Sequence, residues 1–269
     1  MKKVTIFGAK GMLGYATTRY FLSRDYDVKP VSRAEYDIGK DPFDKVAALV
    51  EKSNFVINCA GVIKPRIVEN TIEETLRINA IFPRNLANLT SQLNIPCFHI
   101  TTDCVYSGLK GGYNENDTFD ATDVYGMTKN AGENKDCMVL RTSIIGEETG
   151  QSRSLLEWVR SNKGKEVNGF LNHKWNGVTT LHLAQVIEKI YTDGAYKKGL
   201  FHFFSPETLD KQQLVSLISK VYDLGLTVKP TNAGEACDRS MSSIYDLSAK
   251  YCNKSLEVQL SEMRDFFKA

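Results

Sequence analysis

No run in this 269-residue chain approaches the roughly 18 consecutive apolar residues that a membrane-spanning helix needs. Charge of one sign is missing too. The 34 Lys and Arg face 32 Asp and Glu, the net charge is +2, and no basic block stands out. A nucleic-acid or membrane-surface partner therefore has no electrostatic support. The six cysteines (59, 97, 104, 137, 237, 252) contain no Cys-x-x-Cys pair, and most sit in apolar, strand-like segments. They read as reduced, buried thiols of a cytosolic protein, and zinc is not expected. Met1-Lys2-Lys3 followed by apolar residues has the look of a secretory start, but Gly8 and Lys10 break the apolar stretch too early. Repeats, low-complexity tracts and an obvious linker are also absent. The length allows one large domain or two small ones, with a substantial core in either case.

What is present begins with Gly8-Ala9-Lys10-Gly11-Met12-Leu13-Gly14. Val4-Thr5-Ile6-Phe7 before it has the length and branching of a buried strand. Leu13, Ala16, Thr17, Tyr20 and Phe21 after it fall at helical spacing. The glycines thus occupy a strand-to-helix turn, where backbone can approach a pyrophosphate and the helix start offers free N–H groups. The spacing is G-x-x-G-x-x-G rather than the G-x-G-x-x-G of many dehydrogenases. Lys10, Met12 and Leu13 share this turn.

Further strands are predicted at Tyr26–Ser32, Phe55–Asn58, Cys97–Ile100 and Cys137–Leu140. Helices are predicted at Phe43–Lys52 and about Ile72–Leu93, the latter kinked or broken by Pro83. This alternation predicts an α/β fold, a doubly wound parallel sheet with ligand at the carboxyl ends of its strands. Residues 1–145 would form the dinucleotide-binding domain. Residues 146–269 would form a small α/β substrate lobe, interleaved with the first or separate. In the lobe, helices are expected near Leu155–Val159, Thr180–Tyr191, Lys211–Tyr222 and Leu256–Phe267, with a strand at Leu200–Phe204 and a polar stretch ending at Gly177.

Chemistry concentrates in Thr101-Thr102-Asp103-Cys104-Val105-Tyr106-Ser107-Gly108 and Tyr125-Gly126-Met127-Thr128-Lys129. On a helix, Tyr125 and Lys129 lie one turn apart on one face. A free tyrosine titrates near ~10; a nearby ammonium is expected to lower this by roughly 1–3, towards the range that acid–base catalysis favours. Thr102 can share the substrate oxygen. Strand two ends at Val31-Ser32-Arg33, where an arginine suits a 2′-phosphate. Glu35 and Asp37 lie close by, in reach of the same ribose.

These segments resemble the extended short-chain dehydrogenase/reductase family, and within it the dTDP-4-dehydrorhamnose reductase group. The matching pieces are residues 8–14, Asn58-Cys59-Ala60-Gly61, Arg77-Ile78-Asn79, residues 101–108, residues 125–133 and Leu140-Arg141-Thr142-Ser143. A weaker likeness runs through Asn176–Leu181. The resemblance implies a catalytic set of Thr102, Tyr125 and Lys129, a supporting Asn79, glycines 8, 11 and 14 along the pyrophosphate, and Ala60-Gly61 as a cofactor wall. It implies NADPH as cofactor, with Arg33 and Asp37 at its ribose, and a nucleotide sugar as substrate partner. Thr102, Asp103, Val105, His173, Lys174 and Trp175 would contact that substrate, and a homodimer is compatible with the pattern. The reaction implied is reduction of the C4 ketone of a 4-keto-6-deoxy sugar nucleotide. Three alternatives stay open: another sugar-nucleotide epimerase or dehydratase; a non-catalytic NADP-binding subunit, as in a relative that regulates methionine adenosyltransferase; and a bifunctional 3,5-epimerase/4-reductase. The last rests on Cys104, two residues after Thr102 as in the more distant GDP-fucose synthases, with His173 or Lys174 returning the proton. Two departures stand out. Cys104 replaces the family's usual aromatic, and the segment after strand three lacks its usual tyrosine, threonine and acidic residues.

Overall fold

A computed structural model describes residues 1–148 and 154–268. Five strands come first: β1 (Lys3–Phe7), β2 (Asp27–Val31), β3 (Phe55–Asn58), β4 (Cys97–Thr102) and β5 (Met138–Thr142). With Gly199–His202 they make a six-stranded sheet, ordered from that late strand through β5, β4, β3 and β1 to β2. Every pairing is parallel. All residues of β3, β4 and β5 are buried, as a sheet covered on both faces requires. Successive side chains alternate between two cores. Val4, Ile6, Phe98 and Ile100 join the larger one with the carboxyl-terminal helices, while Phe7, Val56 and Cys97 join the other.

Helix α1 (Met12–Leu22) packs beside the Thr180–Thr192 helix, and the Tyr20 hydroxyl donates to Glu188 on it. The chain after residue 145 therefore returns to the first sheet with both a strand and a helix. The expected long helix runs without a gap from Ile72 to Gln92, α-helical except for a π-helical turn over Arg77–Ile81. The irregularity is therefore a π bulge just before Pro83, at the turn that holds Asn79, rather than a break. The polar stretch before Gly177 carries two unforeseen strands, Glu166–Phe170 and His173–Trp175, paired with Thr227–Thr231 and with Leu209–Asp210 and Cys237–Asp238. Strands this short and polar leave little periodicity to read.

Candidate active site

The glycine turn divides its labour. Gly8 has φ +74°, and a Cβ there would stand 2.7 Å from the Ala60 nitrogen. A Cβ on Gly14 would stand 2.0 Å from the Gly8 carbonyl. Both glycines are demanded by chain packing, which brings α1 tight against β1 and the end of β3. Gly11 is different: its Cβ position meets only the Gly8 oxygen, at 3.4 Å. It is the N-cap of α1, with no side-chain cap and no acidic residue in the first turn. Backbone N–H groups with a positive dipole end therefore face the open space beside Lys10, Met12 and Leu13.

That space is a cleft of two joined cavities over the carboxyl ends of the strands. One, of about 520 Å3, is lined by Gly8, Ser32, Arg33, Asp37 and the strand-three wall. The other, of about 400 Å3, is lined by Met12, Leu13, Thr102, Asp103, Cys104, Tyr125, Lys129 and Ser143. Lys10, Gly11, Cys59, Ala60, Gly61 and Arg66 line both. The residues fit a dinucleotide: an uncapped helix start, a glycine without obstruction above it, and cations at the junction and at the far end.

Helix α5 (Val124–Ala131) is started by Asp123, whose carboxylate accepts from the Gly126 N–H at 3.0 Å. It presents Tyr125 and Lys129 to the second cavity. The Lys129 ammonium is buried and donates to the Ile100 carbonyl at 2.9 Å; burial pushes its pKa down to about 8. The Tyr125 phenol moves the other way from the expected lowering. Burial raises it, with the neighbouring Cys104, Asp103 and Asp123 adding to the rise and a hydrogen bond to Thr102 opposing it. Tyr125 is consequently a neutral proton donor at neutral pH.

Thr102 ends β4. Its hydroxyl accepts from the Cys104 N–H and donates to the Asp103 carboxylate, both at 3.1 Å. Burial raises the Asp103 carboxyl, opposed by Arg239 and Lys211 from the carboxyl-terminal half. Cys104 does line the cavity, but burial and the Asp103 charge push its thiol up to about 12. A carbon-acid base needs the reverse.

Asn79 is buried, and its amide is fully engaged: Oδ1 accepts from the Val62 N–H at 2.8 Å, and Nδ2 donates to the Val62 carbonyl and the Thr128 hydroxyl, each at 3.1 Å. It positions the Gly61 wall against α5 rather than meeting a ligand. Four residues expected from sequence to contact substrate lie outside the cleft. Val105 is wholly buried beside Tyr106 and Tyr113. Trp175 lies in the larger core, its ring N–H donating to the Ser143 hydroxyl at 2.8 Å. Lys174 pairs with Asp210 at 3.6 Å, and the His173 ring is bonded at 3.0 Å to the Glu235 carbonyl. None of the four lines the cleft. At strand two, Arg33 is exposed on the rim, while Glu35 folds back onto the Ser32 N–H and hydroxyl and is removed from ligand contact. The Asp37 carboxylate accepts from the Gly39 N–H at 2.9 Å. Sequence reasoning missed Arg66 and Ser143, although Ser143 closes the recognised segment after β5 and Arg66 lies in the departing one.

Comparison with known proteins agrees with this fold. A curated dTDP-4-dehydrorhamnose reductase of Aggregatibacter actinomycetemcomitans is 28% identical over 218 residues, covering 76% of this chain and 73% of that protein. Methionine adenosyltransferase 2 subunit beta of Xenopus laevis is 26% identical over 249 residues, with 83% and 73% covered. Among solved structures, dTDP-4-dehydrorhamnose reductase from Bacillus anthracis in complex with NADP superposes with a TM-score of 0.82 at 22% identity, over 98% of this chain and 99% of that one. The model of the RmlD substrate binding domain matches residues 1–265, and the chain belongs to that family.

Proposed function

We propose that this protein is a cytoplasmic, NADPH-dependent oxidoreductase that reduces the C4 ketone of a nucleotide-linked 4-keto-6-deoxy sugar. The observation that carries the reading is the convergence of Thr102, Tyr125 and Lys129 on one cavity that runs without interruption into the α1 start. Family membership and the named reductase among the relatives support it.

Bound NADPH supplies the hydride for C4. The chain supplies the proton: the neutral Tyr125 phenol donates it to the C4 oxygen. Thr102 can turn its hydroxyl from Asp103 to that oxygen and hold it in line with the phenol. Lys129, charged below about 8, stabilises the phenolate left behind and offers its remaining N–H donors to ribose hydroxyls. Arg33 and Lys10 supply the charge that separates NADPH from NADH. The high thiol pKa of Cys104 favours reduction without prior epimerisation.

The test offers NADPH and a panel of 4-keto-6-deoxy sugars linked to dTDP, UDP, GDP and CDP, with products identified by NMR and the assembly state read by light scattering, where a homodimer is expected. Steady NADPH oxidation with one class of substrate is the expected result. Tight NADPH binding without turnover on any of them would replace the enzyme with a non-catalytic NADP-binding subunit.

A further inference from the structure

The segment after β3, whose composition departs from the family, folds as a 3₁₀ turn over Lys64–Glu69. It lies along the cleft rather than away from it. Ile63 lines the catalytic cavity, Val62 and Asn70 line the other, and Arg66 lines both. Only Lys10 shares that double position among cationic side chains of the described residues. Two polar contacts accompany the turn. The Lys64 ammonium meets the Asp123 carboxylate at 2.9 Å, and Asp123 is the residue that caps the helix of Tyr125. The Asn70 side chain donates to the Arg66 carbonyl at 2.7 Å.

The Arg66 guanidinium is half-buried and gives its Nε–H to Glu69 at 3.2 Å. A surface i,i+3 pair of this kind holds weakly, so the guanidinium can exchange that carboxylate for a stronger acceptor. Its place, at the junction of the two cavities and beside the α1 start, is where the centre of an extended dinucleotide falls. Arg33 stands at one end of the cleft and Tyr125 at the other.

Building on the NADPH reading above, we propose that Arg66 is a cofactor-binding residue whose guanidinium takes the pyrophosphate from the side opposite α1, making the Lys64–Glu69 turn a strap across the cofactor. Backbone N–H groups of α1 would hold one face of the anion and a bidentate guanidinium the other. Because the pyrophosphate is common to both nicotinamide dinucleotides, Arg66 acts on NADPH and NADH alike, in contrast to Arg33.

Calorimetric titration of wild type, Arg66→Ala, Arg66→Lys and Arg33→Ala with NADPH and NADH separates the possibilities without any sugar substrate. Arg66→Ala should raise both dissociation constants by a similar factor, roughly tenfold or more. Arg66→Lys should recover part of the loss, and the melting temperature of the free protein should barely move. Arg33→Ala should weaken NADPH alone. Unchanged affinities in Arg66→Ala, or a loss confined to NADPH, would overturn the assignment. A melting temperature that falls together with affinity, with no recovery in Arg66→Lys, would make the residue structural. If wild type binds neither dinucleotide, the cofactor reading itself fails and takes this one with it.

Discussion

The two ends of the cleft are built by different means. The α1 end is made of backbone from one contiguous stretch, Gly8 to Gly14, whose first and last glycines meet steric limits that only glycine satisfies. The catalytic end is made of side chains from β4, α5 and the end of β5, brought together by the sheet. A backbone site tolerates change in its neighbours but not in its glycines. A side-chain site depends on the protonation state of each member, and here burial sets those states. Breaking the ends one at a time should therefore give different phenotypes, affinity at one end and turnover at the other.

The largest effect expected is at the catalytic end. Tyr125→Phe removes the proton donor and should lower kcat roughly 10²–10⁴-fold, while calorimetry shows NADPH affinity within twofold of wild type. Turnover within threefold of wild type would take Tyr125 out of the reaction and erase the distinction between the two ends.

Next in size is a pH dependence. Lys129 is charged below its pKa of about 8 and neutral above it. If the charged form serves, kcat/KM in the free enzyme falls as pH rises through about 8, approaching tenfold per unit beyond it. The stability sign differs. The folded-state pKa lies below the ordinary lysine value of 10.5, so between these limits the unfolded chain binds more protons. This group's contribution to stability therefore rises with pH across that window. A flat rate profile from pH 7 to 9.5 would show that the ammonium charge is not used.

Beyond the α1 start, at the end of the cleft opposite Tyr125, Arg33→Ala should cut the NADPH-over-NADH preference in kcat/KM by roughly tenfold, the worth of a charge-assisted contact to an exposed phosphate. The exposure of Arg33 keeps the effect modest. A preference that survives the substitution would move 2′-phosphate recognition to Lys10.

This contrast also explains what the sequence disclosed. Gly8, Gly11 and Gly14 were legible because spacing within seven residues encodes both the turn and its packing. Tyr125 and Lys129 were legible because one helical turn puts them on one face. The strands follow from apolar runs that alternate with helices, but the sheet order and the place of the late strand Gly199–His202 in the first sheet do not. The misplacements come from segments where contact and composition part company. Trp175 looked like a ligand platform because it sits among polar residues, yet its strand pairing turns the ring into the core. The direction of the Tyr125 shift was misread because spacing gives proximity to Lys129 but not the burial and the neighbouring Cys104 and Asp103 that raise the phenol. Arg66 was passed over because its segment departs from the family's pattern, and only the fold brings it to the cleft.

Cys104 and Trp175 sharpen the comparison through small effects. Cys104→Ser should keep turnover within threefold, and wild type in D₂O should leave C3 and C5 of the sugar free of deuterium. Deuterium at either carbon in wild type but not in Cys104→Ser would restore the thiol as a base.

Trp175→Phe keeps the buried ring but deletes the 2.8 Å bond to Ser143. Ser143 lines the catalytic cavity, so this indole acts on the site from behind. Losing one such bond should lower stability by about 1 kcal/mol and leave KM for the sugar nucleotide within about threefold. Lys174→Ala removes a half-exposed ammonium 3.6 Å from the buried Asp210 carboxylate, and should cost about 1 kcal/mol or less and leave KM unchanged. The two variants together ask whether the carboxyl-terminal half supports the catalytic end or touches the substrate through this strand. A KM raised tenfold or more by either, with stability unchanged, would put His173–Trp175 in contact with substrate after all.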